Sequence, residues 1–211
     1  MTVETRAPHA AGVEWRLETA TIGMWAFVAS EVMFFGGLFL AYIVYRHFYP
    51  DAFLAASGKL DATLGAVNTG VLLTSSFTMV LALREARRGN RLTLVLLLLV
   101  TASLGALFLG IKLHEYAVDG SKHLVPGAGF VFPGPHHREA EIFFLLYFLM
   151  TGLHAIHLTL GVLGVLGLGG FALFGKIGRD RPAPVEVIAL YWHFVDLVWV
   201  FLFPILYLVR R

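Results

Sequence analysis

Gly23 to Tyr45 reads GMWAFVASEVMFFGGLFLAYIVY, an apolar run long enough to cross a bilayer, with one carboxylate, Glu31, inside it. At a rise of about 1.5 Å per residue, Glu31 lies about 12 Å in from the start of the run, well inside a hydrocarbon layer about 30 Å thick. An ionised carboxylate at that depth costs at least about 2.5 kcal/mol. Glu31 is therefore expected to be neutralised, paired or turned toward protein, with polar groups on neighbouring spans as its partners.

Similar runs recur along the chain. Of its 211 residues, 58% are hydrophobic and 14% charged, and the apolar residues cluster in long stretches, as in an integral membrane protein. Five spans can be read, at about Thr21–Tyr45, Ala62–Leu83, Leu92–Tyr116, Glu141–Phe174 and Glu186–Val209. They predict an all-α, polytopic membrane bundle of five transmembrane helices occupying residues 21–211, with no room for a soluble domain between them. The fourth span is longer than a perpendicular crossing requires and is expected to tilt or protrude. Residues 1–20 have no apolar signal-peptide core and read as a short exposed tail.

The formal charge is only +2 and the basic residues fall mostly between apolar runs, a pattern of membrane topology and not of a nucleic-acid surface. The chain has no cysteine. That excludes a thiol nucleophile, a disulfide, a Cys-ligated zinc or iron–sulfur site and a CxxCH haem attachment. Arg84, Arg87, Arg88 and Arg91 lie between spans two and three, and Lys176, Arg179 and Arg181 between four and five. Both loops are on the N-terminal side, so the positive-inside rule places the N-terminus in the cytoplasm and the C-terminus outside. The bias is modest, because Arg46, Lys59, Lys112, Lys122, Arg138, Arg210 and Arg211 fall on the other side. An external loop over 117–140, rich in Gly, Pro and His, is expected to be irregular and packed on something.

The polar residues inside the spans form a pattern. His154 and His157 on span four, and His193 and Asp196 on span five, are each three apart, a spacing that favours one helix face. With alternating helix directions, both pairs and the hydroxyls of Thr74, Ser75 and Ser76 come to about the depth of Glu31. We expect a polar layer joining Glu31, His154, His157, His193 and Asp196, serving either as a structural hydrogen-bond network or as a proton-holding site. A bis-histidine haem between spans four and five is the remaining ligation to consider. It is disfavoured because five of the nine histidines, His9, His47, His123, His136 and His137, lie in the tail or loops. No metal ligands and no catalytic residues are assigned. At the helix ends, Lys112 and Glu115 are spaced to pair near the interface, either as an anchor or to hold the external loop, and Glu186 opens span five. The glycines of span four, among them Gly161, Gly164, Gly167 and Gly170, suit close helix packing.

Together, SEVMFF at Ser30–Phe35, VNTGVLLTSS at Val67–Ser76, KLHEY at Lys112–Tyr116, TGLHAIHLTLG at Thr151–Gly161 and EVIALYWHFVDLVWVFLFP at Glu186–Pro204 resemble subunit III of the haem–copper respiratory oxidases, in a short five-helix form. The resemblance runs from about Thr21 to the C-terminus, and YWHFVD is its most specific string. It implies a non-redox accessory subunit of a terminal oxidase in a bacterial cytoplasmic membrane. Such a subunit packs on the catalytic subunit I, with subunit II also in the complex, and supports proton uptake and stability during aerobic electron transport. Haems and copper would then sit in the partner subunits and none in this chain, and phospholipid is a possible ligand. The resemblance makes the carboxylate matching Glu31 the carbodiimide-reactive one. Longer members have two further helices ahead of the matching region, which form a lipid cleft with the rest, so that cleft is expected to be incomplete here. FPILYL and VNTGVLLTSS also resemble the relatives that accompany quinol oxidases and nitric oxide reductases. From a different class, an independent transporter is opposed by the absence of an inverted hydropathy repeat and of a Pro-broken span before Pro204.

Overall fold

The computed structural model describes residues 8–127, 129–133, 136–175, 177 and 183–208, with side chains from residue 19 onward. Its elements are α1 (Pro8–Phe48), α2 (Pro50–Ser57), α3 (Ala62–Arg88), α4 (Arg91–Ser121), α5 (His137–Leu173), α6 (Ala183–Phe203) and a closing π-turn (Pro204–Leu208). Among the described residues, five stretches are long and apolar enough to span a membrane. The basic residues Lys176, Arg179, Arg181, Arg210 and Arg211, the end of the last span at Val209 and the first seven residues of the tail lie outside the described residues.

Local signals set the helix boundaries. Asp61 caps α3, its carboxylate accepting from the backbone N–H of Thr63 at 2.9 Å and of Leu64 at 3.2 Å, two donors that a helix start leaves unpaired. The helix stops at Gly89, which takes φ +78°, a left-handed conformation cheap only without a Cβ. Asn90 then caps α4. Pro50 opens α2, where a missing N–H costs nothing. This short helix, not foreseen from the sequence, buries Ala52, Phe53 and Ala56.

Three expected boundaries are corrected. Helix α1 begins at Pro8, so much of the expected tail is helical, ahead of an apolar span that starts at Thr19. Helix α4 runs to Ser121 and α5 starts at His137, which shortens the irregular connection expected over 117–140. That connection packs on the bundle: Phe130 and Phe132 lie against Phe144, and Glu141 accepts from the N–H of Gly127 at 3.0 Å. The 37 residues of α5 extend about 55 Å, longer than a perpendicular crossing.

Helix α6 packs against α1, α3 and α5, and α4 lies against α3 and α5. Hydroxyls and indoles set the α3/α6 register: the Trp192 indole donates to Ser75 at 3.2 Å and the Trp199 indole to Thr69 at 3.0 Å. Trp192 fits because glycines leave it a slot. A Cβ on Gly105 would stand 2.7 Å from the Trp192 ring, and one on Gly161 3.2 Å from it. Of the other span-four glycines, Gly164 meets Ile188, whereas Gly167 and Gly170 face open space. Helix α1 is the least enclosed span and α6 the most, so α1 presents side chains such as Met33 and Leu40 to the surroundings. It is tied in where the Tyr42 hydroxyl donates to the Ile205 carbonyl of the π-turn at 2.9 Å, supplying a partner to a carbonyl at a helix end.

Candidate functional site

Glu31 meets one partner of the expected layer directly. Its Oε2 lies 3.1 Å from His157 Nε2, across α1 and α5, with the two side chains 18% and 15% exposed. His157 Nδ1 is 2.8 Å from the Leu153 carbonyl, which can only accept, so Nδ1 carries a hydrogen. The Nε2–Oε2 contact then contains a single proton: either a carboxylic acid donates to imidazole or imidazolium donates to carboxylate. Both forms are neutral overall, as the low-polarity surroundings demand. Phe35 lies edge-on to the imidazole at 5.4 Å, and the Tyr191 hydroxyl donates to the His157 carbonyl at 2.8 Å. The pair is thus held from α1, α5 and α6.

The continuous layer does not form. His193 Nδ1 is 2.7 Å from the Ser76 hydroxyl, a separate α3/α6 contact. His154 is 1% exposed, packed against Phe108 and Trp199, and neither ring nitrogen has a hydrogen-bond partner. Asp196 is buried as well. Ser76 is the polar group beside it, but that contact falls short of hydrogen-bond geometry and both carboxylate oxygens are unpartnered. The cause is helix geometry, since a three-residue step leaves side chains about 60° apart. His157 turns to α1 while His154 turns inward. Among the described residues, no three of His, Asp and Glu converge as a metal site.

The pair expected at the interface lies inside the bundle. Lys112 is 1% and Glu115 4% exposed, and α4 continues two turns past them. Lys112 Nζ donates to Glu115 Oε2 at 2.9 Å, to the Tyr147 hydroxyl at 3.1 Å and to the Tyr207 hydroxyl. It also sits 4.8 to 5.4 Å from the ring centroids of Tyr116, Tyr147, Trp199 and Tyr207, a cation–π cage. Tyr147, Tyr207 and Asp119 belong to this cluster and were missed in the sequence. Lys112, Glu115 and Asp119 repeat at helical spacing on one face, the signal that reveals Asp119 once the helix is extended past Tyr116; nothing in the spacing points to the two tyrosines. Glu186, in the first turn of α6, pairs with Arg87 of α3 at 3.0 Å on the surface.

Comparison with known proteins addresses the whole chain. The family model for cytochrome c oxidase subunit III matches residues 6–210. The chain belongs to the cytochrome c oxidase subunit III family. Its relatives include cytochrome c oxidase subunit 3 of Synechocystis, 32% identical over 88% of this chain and 74% of that protein. Quinol oxidase subunit 3 of Bacillus subtilis is 29% identical over 94% of this chain and 92% of that one. A third is the heme-copper oxidase subunit I+III of Aeropyrum pernix, 33% identical over 88% of this chain; the chain spans only 22% of that longer protein. Family membership makes this an integral membrane protein with the accessory role of subunit III in a haem–copper oxidase complex.

Proposed function

We propose that the chain packs on the catalytic subunit I of a bacterial terminal oxidase that also contains subunit II, holds no redox group itself, and uses the Glu31–His157 pair to support proton uptake. The observation that carries this reading is the 3.1 Å contact between Glu31 Oε2 and His157 Nε2, which accommodates one proton because Nδ1 is committed to the Leu153 carbonyl. A site that holds one proton is neutral at rest; releasing that proton leaves a carboxylate beside a neutral imidazole, so transfer through it avoids a bare charge in oil only if a second proton arrives as the first leaves. The Aeropyrum relative, whose name joins subunits I and III, supports contact with subunit I. The N-terminus is assigned to the cytoplasm from the arginines at the α3/α4 junction. Two apolar grooves suit phospholipid chains. One, of about 300 Å³, lies between α4 and α5 and is lined by Leu109, Leu113 and Ile156; the other, of about 250 Å³, lies between α1 and α6 beside Phe39 and Phe201.

Glu31→Gln in the intact complex tests the proton role. Assembly and haem content are expected to stay unchanged while proton uptake slows; unchanged uptake would remove the role. A quinol oxidase is the second reading, favoured by the near full-length match to the Bacillus protein. Assaying the purified complex with reduced cytochrome c and with quinol separates the two, and non-haem iron in the partner would point instead to nitric oxide reduction.

A further inference from the structure

The buried cluster on α4, α5 and the π-turn contains one cation, Lys112, two carboxylates, Glu115 and Asp119, and two phenols, Tyr147 and Tyr207, all at most 4% exposed. Its hydrogen bonds can be assigned one by one. Lys112 Nζ serves Glu115, Tyr147 and Tyr207, which uses all three ammonium hydrogens. The Tyr207 hydroxyl lies 2.6 Å from Glu115 Oε1, so its hydrogen goes there. Tyr147 has one hydrogen left for two acceptors, Glu115 Oε1 at 3.1 Å and Asp119 Oδ2 at 3.4 Å. Five hydrogens, three on the ammonium and one on each phenol, face seven contacts, the seventh being the 3.5 Å approach of the Tyr207 and Tyr147 hydroxyls. With the Tyr207 and Tyr147 hydrogens each directed to Glu115, the nearer acceptor of both, the Tyr147–Asp119 contact has a hydrogen of its own only if Asp119 supplies it.

We infer that Asp119 carries that hydrogen, so that the cluster is a second proton-holding site, separate from Glu31–His157. Asp119 donates to the Tyr147 oxygen, Tyr147 donates to Glu115, and Glu115 is the anion that balances Lys112. The charge count agrees: inside the bundle Lys112 balances only one carboxylate, and the other cation near Asp119, Lys122, is exposed past the helix end, so ionising both carboxylates would leave one buried negative charge facing only that exposed lysine. Position agrees too. Glu115 collects three donors from Lys112, Tyr147 and Tyr207, whereas Asp119 has only the long contact to Tyr147. The charged or titratable groups facing Asp119 are Glu115 and Lys112 on α4, Lys122 just past its end and Tyr147 on α5. Asp119 is two residues from the end of α4 at Ser121, so the proton would exchange from the side that carries the connection to α5.

Isotope-edited infrared spectroscopy of the oxidase complex, reassembled so that only this chain carries carboxyl-labelled aspartate, tests the site. An Asp196→Asn background keeps the other buried aspartate out of the signal. A label-sensitive carbonyl band of a protonated aspartic acid is expected, lost in Asp119→Asn. Glu115→Gln should also abolish it, because Asp119 must then supply the negative charge facing Lys112, while Lys112→Met should retain it. No label-sensitive band in the complex, a band surviving Asp119→Asn, or a band surviving Glu115→Gln would each overturn the assignment.

Discussion

Residues in this bundle are constrained by what they are denied as much as by what they touch. Glu31 and His157 can share a proton because Leu153 occupies the other imidazole nitrogen, and His154, one turn away, can share nothing because its neighbours are rings. At Gly105 the constraint is space: a Cβ would approach Trp192 to 2.7 Å and Val162 to 2.8 Å. Gly105→Ala should therefore destabilise the protein by about 1–3 kcal/mol through overpacking, read as a lower thermal midpoint in detergent, with an unchanged midpoint contradicting the tight slot. Lys112→Met acts differently. It strips Glu115 of its counter-charge inside the bundle, and removal of one partner from a buried pair costs about 3–5 kcal/mol. Denaturant titration should show the loss, and Lys112→Met with Glu115→Gln should recover part of it, since no lone ion then remains.

Among elements, α1 is tied to the end of the chain by the Tyr42 hydroxyl on the π-turn carbonyl of Ile205. Tyr42→Phe should cost about 1 kcal/mol and speed amide exchange in the turn beyond Pro204; exchange unchanged there would mean that α1 is anchored elsewhere. Most of the helices were legible in the sequence, because a bilayer demands apolar runs of a length that little else produces. Their ends were less so. The span read over Leu92–Tyr116 includes Lys112 and Glu115 but stops short of Asp119, whereas α4 carries all three inward and ends only at Ser121. Composition alone does not tell a snorkelling lysine from an enclosed one; the tyrosines that enclose it come from α5 and from the π-turn, far along the chain. The paired helix positions at 154/157 and 193/196 misled in another way. Helix spacing fixes which residues are near each other, and not which neighbouring helix each one faces.

For the molecule as a whole, the bundle offers an outer surface of exposed apolar side chains on every span, and its polar groups are gathered into small internal sites with no convergent metal set among the described residues. Family membership gives such a chain an accessory role in a haem–copper oxidase complex; in the function proposed above it also lends proton-holding groups. The most direct test of that account is to strip this chain from the purified complex and follow haem spectrum and O2 reduction through many turnovers. The account predicts an unchanged haem spectrum and retained initial O2 reduction, followed by slowed proton uptake and faster loss of activity. Loss of haem or of initial O2 reduction on removing the chain would contradict it.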